Sequence, residues 1–135
     1  MLYLDNDVLA KYARPDPDPN VVDYLKQHRS EPWGISAIVA YEFLSYYEQS
    51  AQQRQLHQLQ QHVVDEISPF DTQTALEAAN LRRALAQTKA SLDTGDLLVA
   101  ATAHRHGGTL ATANRNDFDK PQIRQLIDVE IVELA

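Results

Sequence analysis

Carboxylates occur in this sequence where short apolar runs end, and four of them are candidates for one acidic site. Asp5 directly follows the apolar run Leu2–Leu4, and Asp96 opens an Ala-rich segment that leads into the run TLAT. Glu42 lies within the mostly apolar stretch ISAIVAYEFL, and Asp117 follows TLAT within TANRNDF. If these segments converge, the four acids form a cluster that needs compensation, because like charges raise each other's pKa.

A divalent cation is the compensation that this set of side chains favours. The chain contains no Cys, and His104 and His106 are two residues apart on a predicted helix, so they lie on different faces. Ligands that offer only oxygen favour a hard ion, Mg²⁺ or Mn²⁺, over zinc. Carboxylate-held Mg²⁺ is the arrangement that activates water and neutralises a phosphate during hydrolysis. The residue types therefore indicate metal-dependent chemistry on a phosphate ester.

Each acid also has a purely structural explanation. Asp5 or Asp7 could cap the helix that follows the first strand, where a carboxylate also favours the positive helix end. Glu42 could lie on the solvated face of its helix. Asp117, between two Asn residues, could stabilise a turn through its own backbone. Taken one at a time, none of these acids decides between structure and function.

Short β-type runs alternate with longer helical segments along the whole chain. Five runs are predicted strands: Leu2–Leu4, Trp33–Ser36, VVDEISPF ended by Pro69, Thr109–Thr112 and residues 129–134. Apolar periodicity predicts the helices, at residues 8–12, a segment capped by Asn20, then 37–51, 52–62, 71–89 and 96–106. Strands separated by helices indicate an α/β fold, a parallel sheet with helices on both faces. The alternation in residues 129–134 suits an edge strand.

This fold explains how distant acids could meet. In open α/β sheets, the working crevice lies beyond the carboxyl ends of the strands, where the strand order reverses. Asp5 is at such an end, and Asp117 follows the fourth strand. Asp96 begins the helix that leads into the fourth strand, with Asp93 as that helix's cap. Convergence requires the first and fourth strands to be neighbours.

Length and charge restrict the class of protein. At 135 residues, the chain is expected to form a single domain, residues 1–135, around one core. No segment approaches the roughly 18 apolar residues of a membrane helix, and the absence of Cys fits a reducing cytosol. We therefore expect a cytoplasmic protein with no membrane partner.

The acidic balance bears on nucleic-acid binding. The net charge of −7 argues against a partner held through phosphate contacts. Without the four candidate site acids, the excess of acids falls to three. Three basic residues near the predicted crevice could contact phosphates or could be ordinary surface charges: Lys11, Arg14 and Arg115.

Three segments together resemble the PIN-domain family, and most closely its VapC-type toxins of toxin–antitoxin pairs: MLYLDNDVLAKY, ISAIVAYEFL and DLLVAATAHRHGGTLATANRNDF. The resemblance implies a five-stranded parallel sheet flanked by helices and cleavage of RNA that depends on Mg²⁺ or Mn²⁺. It also implies a small antitoxin that blocks the site, and a homodimer. The residues it assigns to the site are Asp5, Glu42, Asp96 and Asp117, with Thr112 and Asn114 as polar neighbours.

The resemblance leads to a hypothesis for the role of each residue. Asp5 and Asp96 hold the principal ion, and Asp117 supports it or a second one. Glu42 orients or deprotonates the attacking water. The family usually has Asp-Thr-Asn or Asp-Thr-Ser where this chain has Asp5-Asn6-Asp7. Asp7 is therefore an accessory candidate, either for a second metal ion or as a helix cap.

Two other functions stay open at this point. The run DNDV is similar to the end of the first strand in haloacid-dehalogenase-like phosphatases, although the Lys and the later acid pair of that family are not evident. A non-catalytic α/β interaction module would use the same acids only as caps. A metal titration separates these classes, because caps do not bind Mn²⁺ whereas a converging acid cluster does.

Overall fold

Five short strands form one parallel sheet in the computed structural model, which describes all 135 residues. The strands are β1 (Leu2–Leu4), β2 (Trp33–Ser36), β3 (Glu66–Ser68), β4 (Thr109–Thr112) and β5 (Val129–Ile131), in the order β3-β2-β1-β4-β5. The central strand β1 pairs with β2 on one side and with β4 on the other. The prediction that the first and fourth strands are neighbours is confirmed, and β5 is an edge strand as expected.

The sheet is covered on both faces, which is why its strands read as apolar runs. Successive side chains of a strand point to opposite faces, and Leu2, Tyr3 and Leu4 are all at most 2% exposed. A Cβ at Gly108 would lie 2.7 Å from the carbonyl oxygen of Met1 and 2.8 Å from the Tyr3 ring. Only glycine therefore allows the chain to enter β4 this close to β1.

Helices fill the connections between the strands. They are α1 (Asn6–Tyr12), α2 (Pro19–Gln27), α3 (Ala37–Leu44), α4 (Gln49–Gln58), α5 (Thr72–Gln87), α6 (Thr94–Arg105), α7 (Arg115–Phe118) and α8 (Pro121–Arg124). In α5, the buried residues Ala78, Leu81 and Leu85 share one face, which is the apolar stripe of an amphipathic helix. None of the helices has the length and apolar character needed to cross a membrane.

Four details of the helices differ from the prediction. The helix expected over residues 37–51 ends at Leu44, and a turn separates α3 from α4. The second half of the segment 52–62 is a π-helical turn, Leu59–Val63. The cap of α2 is Asp18 rather than Asn20, since Pro19 starts the helix and the Asp18 carboxylate accepts the next two N–H groups. The short helices α7 and α8 were not predicted.

The chain order makes one position in this sheet special. From β1 the chain moves to β2 and β3 on one side, and later to β4 and β5 on the other side. The strand order thus reverses between β1 and β4, and helices leave their carboxyl ends in different directions. A crevice opens at such a position. Every candidate acid follows, or lies in a helix adjoining, one of the strands β1, β2 and β4.

Candidate active site

Asp5 is held by three hydrogen bonds at the end of β1. Its backbone N–H donates to the carbonyl of Ala111 in β4 at 2.9 Å. One carboxylate oxygen accepts the N–H of Asn6 at 2.8 Å, and the other accepts the hydroxyl of Thr112 at 2.7 Å. The residue is 7% exposed, and this burial raises the pKa of its carboxyl group in spite of both hydrogen bonds. A bound cation would therefore stabilise its ionised form.

Asp7 lies in the first turn of α1 and contacts the segment after β4. Its two carboxylate oxygens each lie 3.2 Å from the backbone nitrogen of Ala113, whose N–H they accept. Burial and the charge of Asp5 raise the pKa of Asp7 to about 6. The residue at the cap position of α1 is Asp5. Asp7 thus joins α1 to the end of β4 and adds negative charge beside Asp5.

Glu42 reaches the site from the second turn of α3. The helix starts directly after β2, where the buried Ser36 hydroxyl accepts the N–H of Val39 at 3.0 Å. Glu42 is half-buried, and it lines the same pocket as Asp5 and Asp7. Burial raises the pKa of its carboxyl group, and the charges of those two acids raise it further. Glu42 therefore faces the crevice rather than the solvated side of α3.

Asp96 and Asp117 meet at the start of α6. Burial raises the pKa of Asp96 to about 7, and hydrogen bonding to Asp117 and the charge of Asp5 add to the rise. Asp117 is fixed by Asn114, whose amide nitrogen donates to its carboxylate at 2.8 Å and whose amide oxygen accepts its N–H at 3.2 Å. The turn after β4 thus brings a second carboxylate to Asp96.

Asp93 is a candidate ligand that the sequence analysis missed. The sequence predicts Asp93 only as the cap of α6. It does occupy that position, but its side chain makes no capping hydrogen bond. One carboxylate oxygen from each of Asp93, Asp96 and Asp117 lies within 4.8 Å of the other two. The spacing Asp-x-x-Asp at a helix start could have pointed to it, since residues three apart lie on one face.

The acids line an open pocket of about 470 Å³ at the carboxyl ends of β1 and β4. Asp5, Asp7, Glu42 and Asp96 all contribute to its wall, and Asn6 and Asn114 add amide groups. Asp117 does not line the pocket itself but adjoins it through Asp96. Four separate segments of the chain thus bring their carboxylates to one place.

This donor set fits a hard divalent cation. The groups around the pocket offer carboxylate and amide oxygens, and the chain has no cysteine thiolate. The amide oxygen of Asn6 is buried and accepts no hydrogen bond, which is costly unless a further partner is supplied. Burial raises the pKa values of Asp5, Asp7, Glu42 and Asp96, and repulsion from neighbouring acids adds to the rise at the last three, so a bound cation would stabilise the ionised cluster. Mg²⁺ and Mn²⁺ match these oxygen ligands.

Comparisons with known proteins agree with this architecture. A family model described as PIN domain matches residues 2–123. None of the curated proteins compared with the chain is significantly similar to it in sequence.

Several solved structures have the same fold. FitAcB from Neisseria gonorrhoeae is 27% identical, with a TM-score of 0.73 over 96% of this chain and 96% of that chain. VapBC2 from Rickettsia felis, bound to a DNA fragment from its promoter, is 23% identical, with a TM-score of 0.75 over 98% and 100% of the two chains. A toxin-antitoxin complex from Klebsiella pneumoniae is 20% identical, with a TM-score of 0.69 over 90% and 94%.

Proposed function

Because residues 2–123 match its model, this chain belongs to the PIN domain family, and we propose that it is a metal-dependent endoribonuclease, the toxin component of a type II toxin–antitoxin pair. The observation that carries the proposal is the convergence of carboxylates from three chain segments on one pocket between β1 and β4, with Asp117 from a fourth segment beside Asp96. A nuclease that hydrolyses a phosphodiester uses such a cluster to bind cations next to the phosphate.

Asp5, Asp96 and Asp117 are the proposed metal ligands, with Asp93 beside the last two. Mg²⁺ or Mn²⁺ bound there would supply a Lewis acid for the phosphate and lower the pKa of a nearby water. The Thr112 hydroxyl fixes one oxygen of Asp5. Support of this kind sets the orientation of a ligating carboxylate.

Glu42 is the proposed general base. It approaches the pocket from α3, on a different element from the proposed ligands. The raised pKa of its carboxyl group makes it a better proton acceptor than an ordinary surface glutamate, because base strength rises with pKa. In this role Glu42 orients the attacking water and accepts its proton. Asn114 acts through Asp117, whose carboxylate it holds by a hydrogen bond.

Phosphatase chemistry with Asp5 as the nucleophile is disfavoured by the geometry. Asp5 is 7% exposed, and both of its carboxylate oxygens already accept hydrogen bonds from Asn6 and Thr112. An in-line attack needs room for the phosphorus and the leaving group beside one oxygen. A metal ligand needs only a lone pair, and each Asp5 oxygen keeps one besides the hydrogen bond that it accepts.

The proposed partners are an RNA substrate, a small antitoxin protein that blocks the pocket, and a second copy of the chain in a homodimer. The similar structures include a toxin-antitoxin complex, which supports the antitoxin. The proposed place of action is the cytoplasm, which suits a chain without Cys. A short neighbouring reading frame that encodes a DNA-binding protein is expected. Its product should co-purify with this chain and inhibit RNA cleavage.

The enzymatic proposal is tested with the purified chain and a mixed-sequence RNA. Cleavage is expected with Mg²⁺ or Mn²⁺ and should stop when EDTA is added. Asp5→Asn keeps the acceptor for the Asn6 N–H, so the variant should fold, be no less stable than wild type without metal, and lose cleavage. Asp23→Asn is the matched control, because Asp23 is exposed on α2 and away from the pocket. An active Asp5→Asn enzyme would refute the assignment.

A further inference from the structure

Tyr46 is a large aromatic side chain that the fold leaves in solvent at the mouth of the acidic pocket. It is 80% exposed, and it lines the pocket together with Asp5 and Glu42. Its neighbours Phe43 and Tyr47 pack against the core instead, with their ring centroids 5.4 Å apart. The Tyr46 ring therefore presents a free aromatic face next to the carboxylates.

The backbone that carries Tyr46 is fixed. Tyr46 lies in the turn between α3 and α4, and the side-chain amide of Gln52 donates to the carbonyls of Leu44 at 3.2 Å and Tyr47 at 3.3 Å. These two carbonyls lie on either side of Tyr46 in the chain. The Ser45 hydroxyl donates to the Tyr41 carbonyl at 2.6 Å. An exposed ring on an anchored turn can order a ligand without a large loss of backbone entropy.

Lys11 is the single basic residue that lines the pocket. It lies in the last turn of α1, and it takes part in none of the six ion pairs of the structure. An ammonium group without a carboxylate partner can contact a phosphate. The mouth of the pocket thus combines an aromatic face with an available cation, which are the two features of a surface that binds single-stranded nucleic acid.

We propose that Tyr46 and Lys11 form a nucleotide subsite, in which a base next to the scissile phosphate stacks on the Tyr46 ring while Lys11 contacts an adjoining phosphate. The inference rests on the proposed ribonuclease function and identifies the substrate as a single-stranded segment whose bases are free to stack. Every base has a flat π-face, so Tyr46 strengthens binding without selecting one base. Tyr46 is a substrate-positioning residue, whereas the carboxylates carry the chemistry.

The two exposed tyrosines of this region provide a matched pair for the test. Tyr41 is 70% exposed on α3 but does not line the pocket. We would measure kcat and KM for a single-stranded RNA oligonucleotide with wild type, Tyr46→Ala, Tyr46→Phe and Tyr41→Ala. Loss of one stacked base should raise KM about 5- to 100-fold with kcat nearly unchanged. Tyr46→Phe should restore wild-type KM, and Tyr41→Ala should match wild type.

Binding without cleavage separates this proposal from the proposed function. Fluorescence anisotropy of a labelled RNA, measured in the Asp5→Asn background, gives affinity even if no RNA is cleaved. Adding Tyr46→Ala should weaken binding by the same factor, and Lys11→Met should reduce the slope of log affinity against log salt by about 0.7, the value for one phosphate contact on a single strand. If wild type cleaves no RNA but the Tyr46 and Lys11 substitutions still weaken RNA binding as expected, the ribonuclease assignment is refuted and the nucleotide subsite is supported.

Two results would overturn the subsite. In the first, Tyr46→Ala and Tyr41→Ala have equal effects on RNA affinity, which would mean that the position of Tyr46 beside the pocket does not contribute to RNA binding. In the second, Tyr46→Ala leaves RNA affinity unchanged and weakens the homodimer or the complex with a co-purifying protein. The exposed ring would then belong to a protein interface and not to the substrate.

Discussion

Replacement of Asp96 by Asn is expected to stabilise the metal-free protein at pH 8 and to abolish RNA cleavage. Folding raises the pKa of Asp96 from 3.8 to about 7, chiefly through burial, then through its hydrogen bonding to Asp117 and the charge of Asp5. An acid with a raised pKa binds its proton more tightly in the folded state. Its contribution to stability therefore falls as the pH rises from its unfolded pKa through about 7.

The size of the effect follows from this shift. Between pH 5 and the folded pKa of about 7, each pH unit lowers the free energy of unfolding by about 1.4 kcal/mol. The total loss at pH 7 and above is therefore about 3 kcal/mol. Asp96 keeps part of its solvent contact, and screening reduces the expected loss to about 1–2 kcal/mol. Asn at this position carries no charge, so the variant should not show that loss. For a domain of this size the difference corresponds to roughly 3–8 °C in Tm.

Urea or thermal unfolding in EDTA at pH 5 and pH 8 measures this difference. Wild type should lose stability from pH 5 to pH 8 relative to Asp96→Asn, and Asp23→Asn should follow wild type. Mg²⁺ at pH 8 should raise the stability of wild type by mass action and that of the variant far less. If Asp96→Asn is destabilised at both pH values, or shifted equally at both, the reasoning about the buried carboxylate is wrong.

Three further substitutions separate the roles of the remaining residues. Asp7→Asn should keep substantial cleavage, and a loss as complete as that of the Asp5 variant in the same assay would make Asp7 a ligand. Asp93→Asn should weaken Mn²⁺ binding several-fold in calorimetric titration. An unchanged affinity for Mn²⁺ would show that Asp93 occupies the cap position of α6 but is not a metal ligand. Ser36→Ala should lower the free energy of unfolding by about 1 kcal/mol, because the 2% exposed Ser36 caps α3. It should also reduce kcat by displacing Glu42. A urea denaturation curve identical to that of wild type would contradict this prediction.

The centre of the sheet was predictable from the sequence because the strands β1, β2 and β4 are buried on both faces. The apolar runs Leu2–Leu4, Trp33–Ser36 and Thr109–Thr112 coincide with β1, β2 and β4. The split between α3 and α4 was not predictable, since the segment contains no Gly or Pro. The turn is held by the Gln52 side chain on the carbonyls at residues 44 and 47. The periodicity of apolar residues does not reveal a hydrogen bond between a side chain and the backbone of a distant turn.

The same contrast applies to the acidic site. Asp5 and Asp117 could be predicted to lie at the same edge of the sheet because each follows a strand, and parallel strands end at the same edge. Asp93 was missed because capping is a local inference. Its proximity to a third carboxylate depends on α7, which brings Asp117 to within 4.8 Å of both Asp93 and Asp96. The sequence does not decide the role of Asp7 either, because its contact with the Ala113 N–H depends on the path of the chain after β4.

The pairing of β1 with β4 has a consequence for biosynthesis. The hydrogen bond between Asp5 and Thr112 joins residues 107 positions apart, and Asp117 comes still later in the chain. A nascent polypeptide that has been translated only through β3 carries Asp5 and Glu42 without the opposite half of the pocket. Catalytic competence can therefore arise only after β4 and the turn that carries Asp117 have been translated, and a product terminated before β4 would lack half of the proposed site.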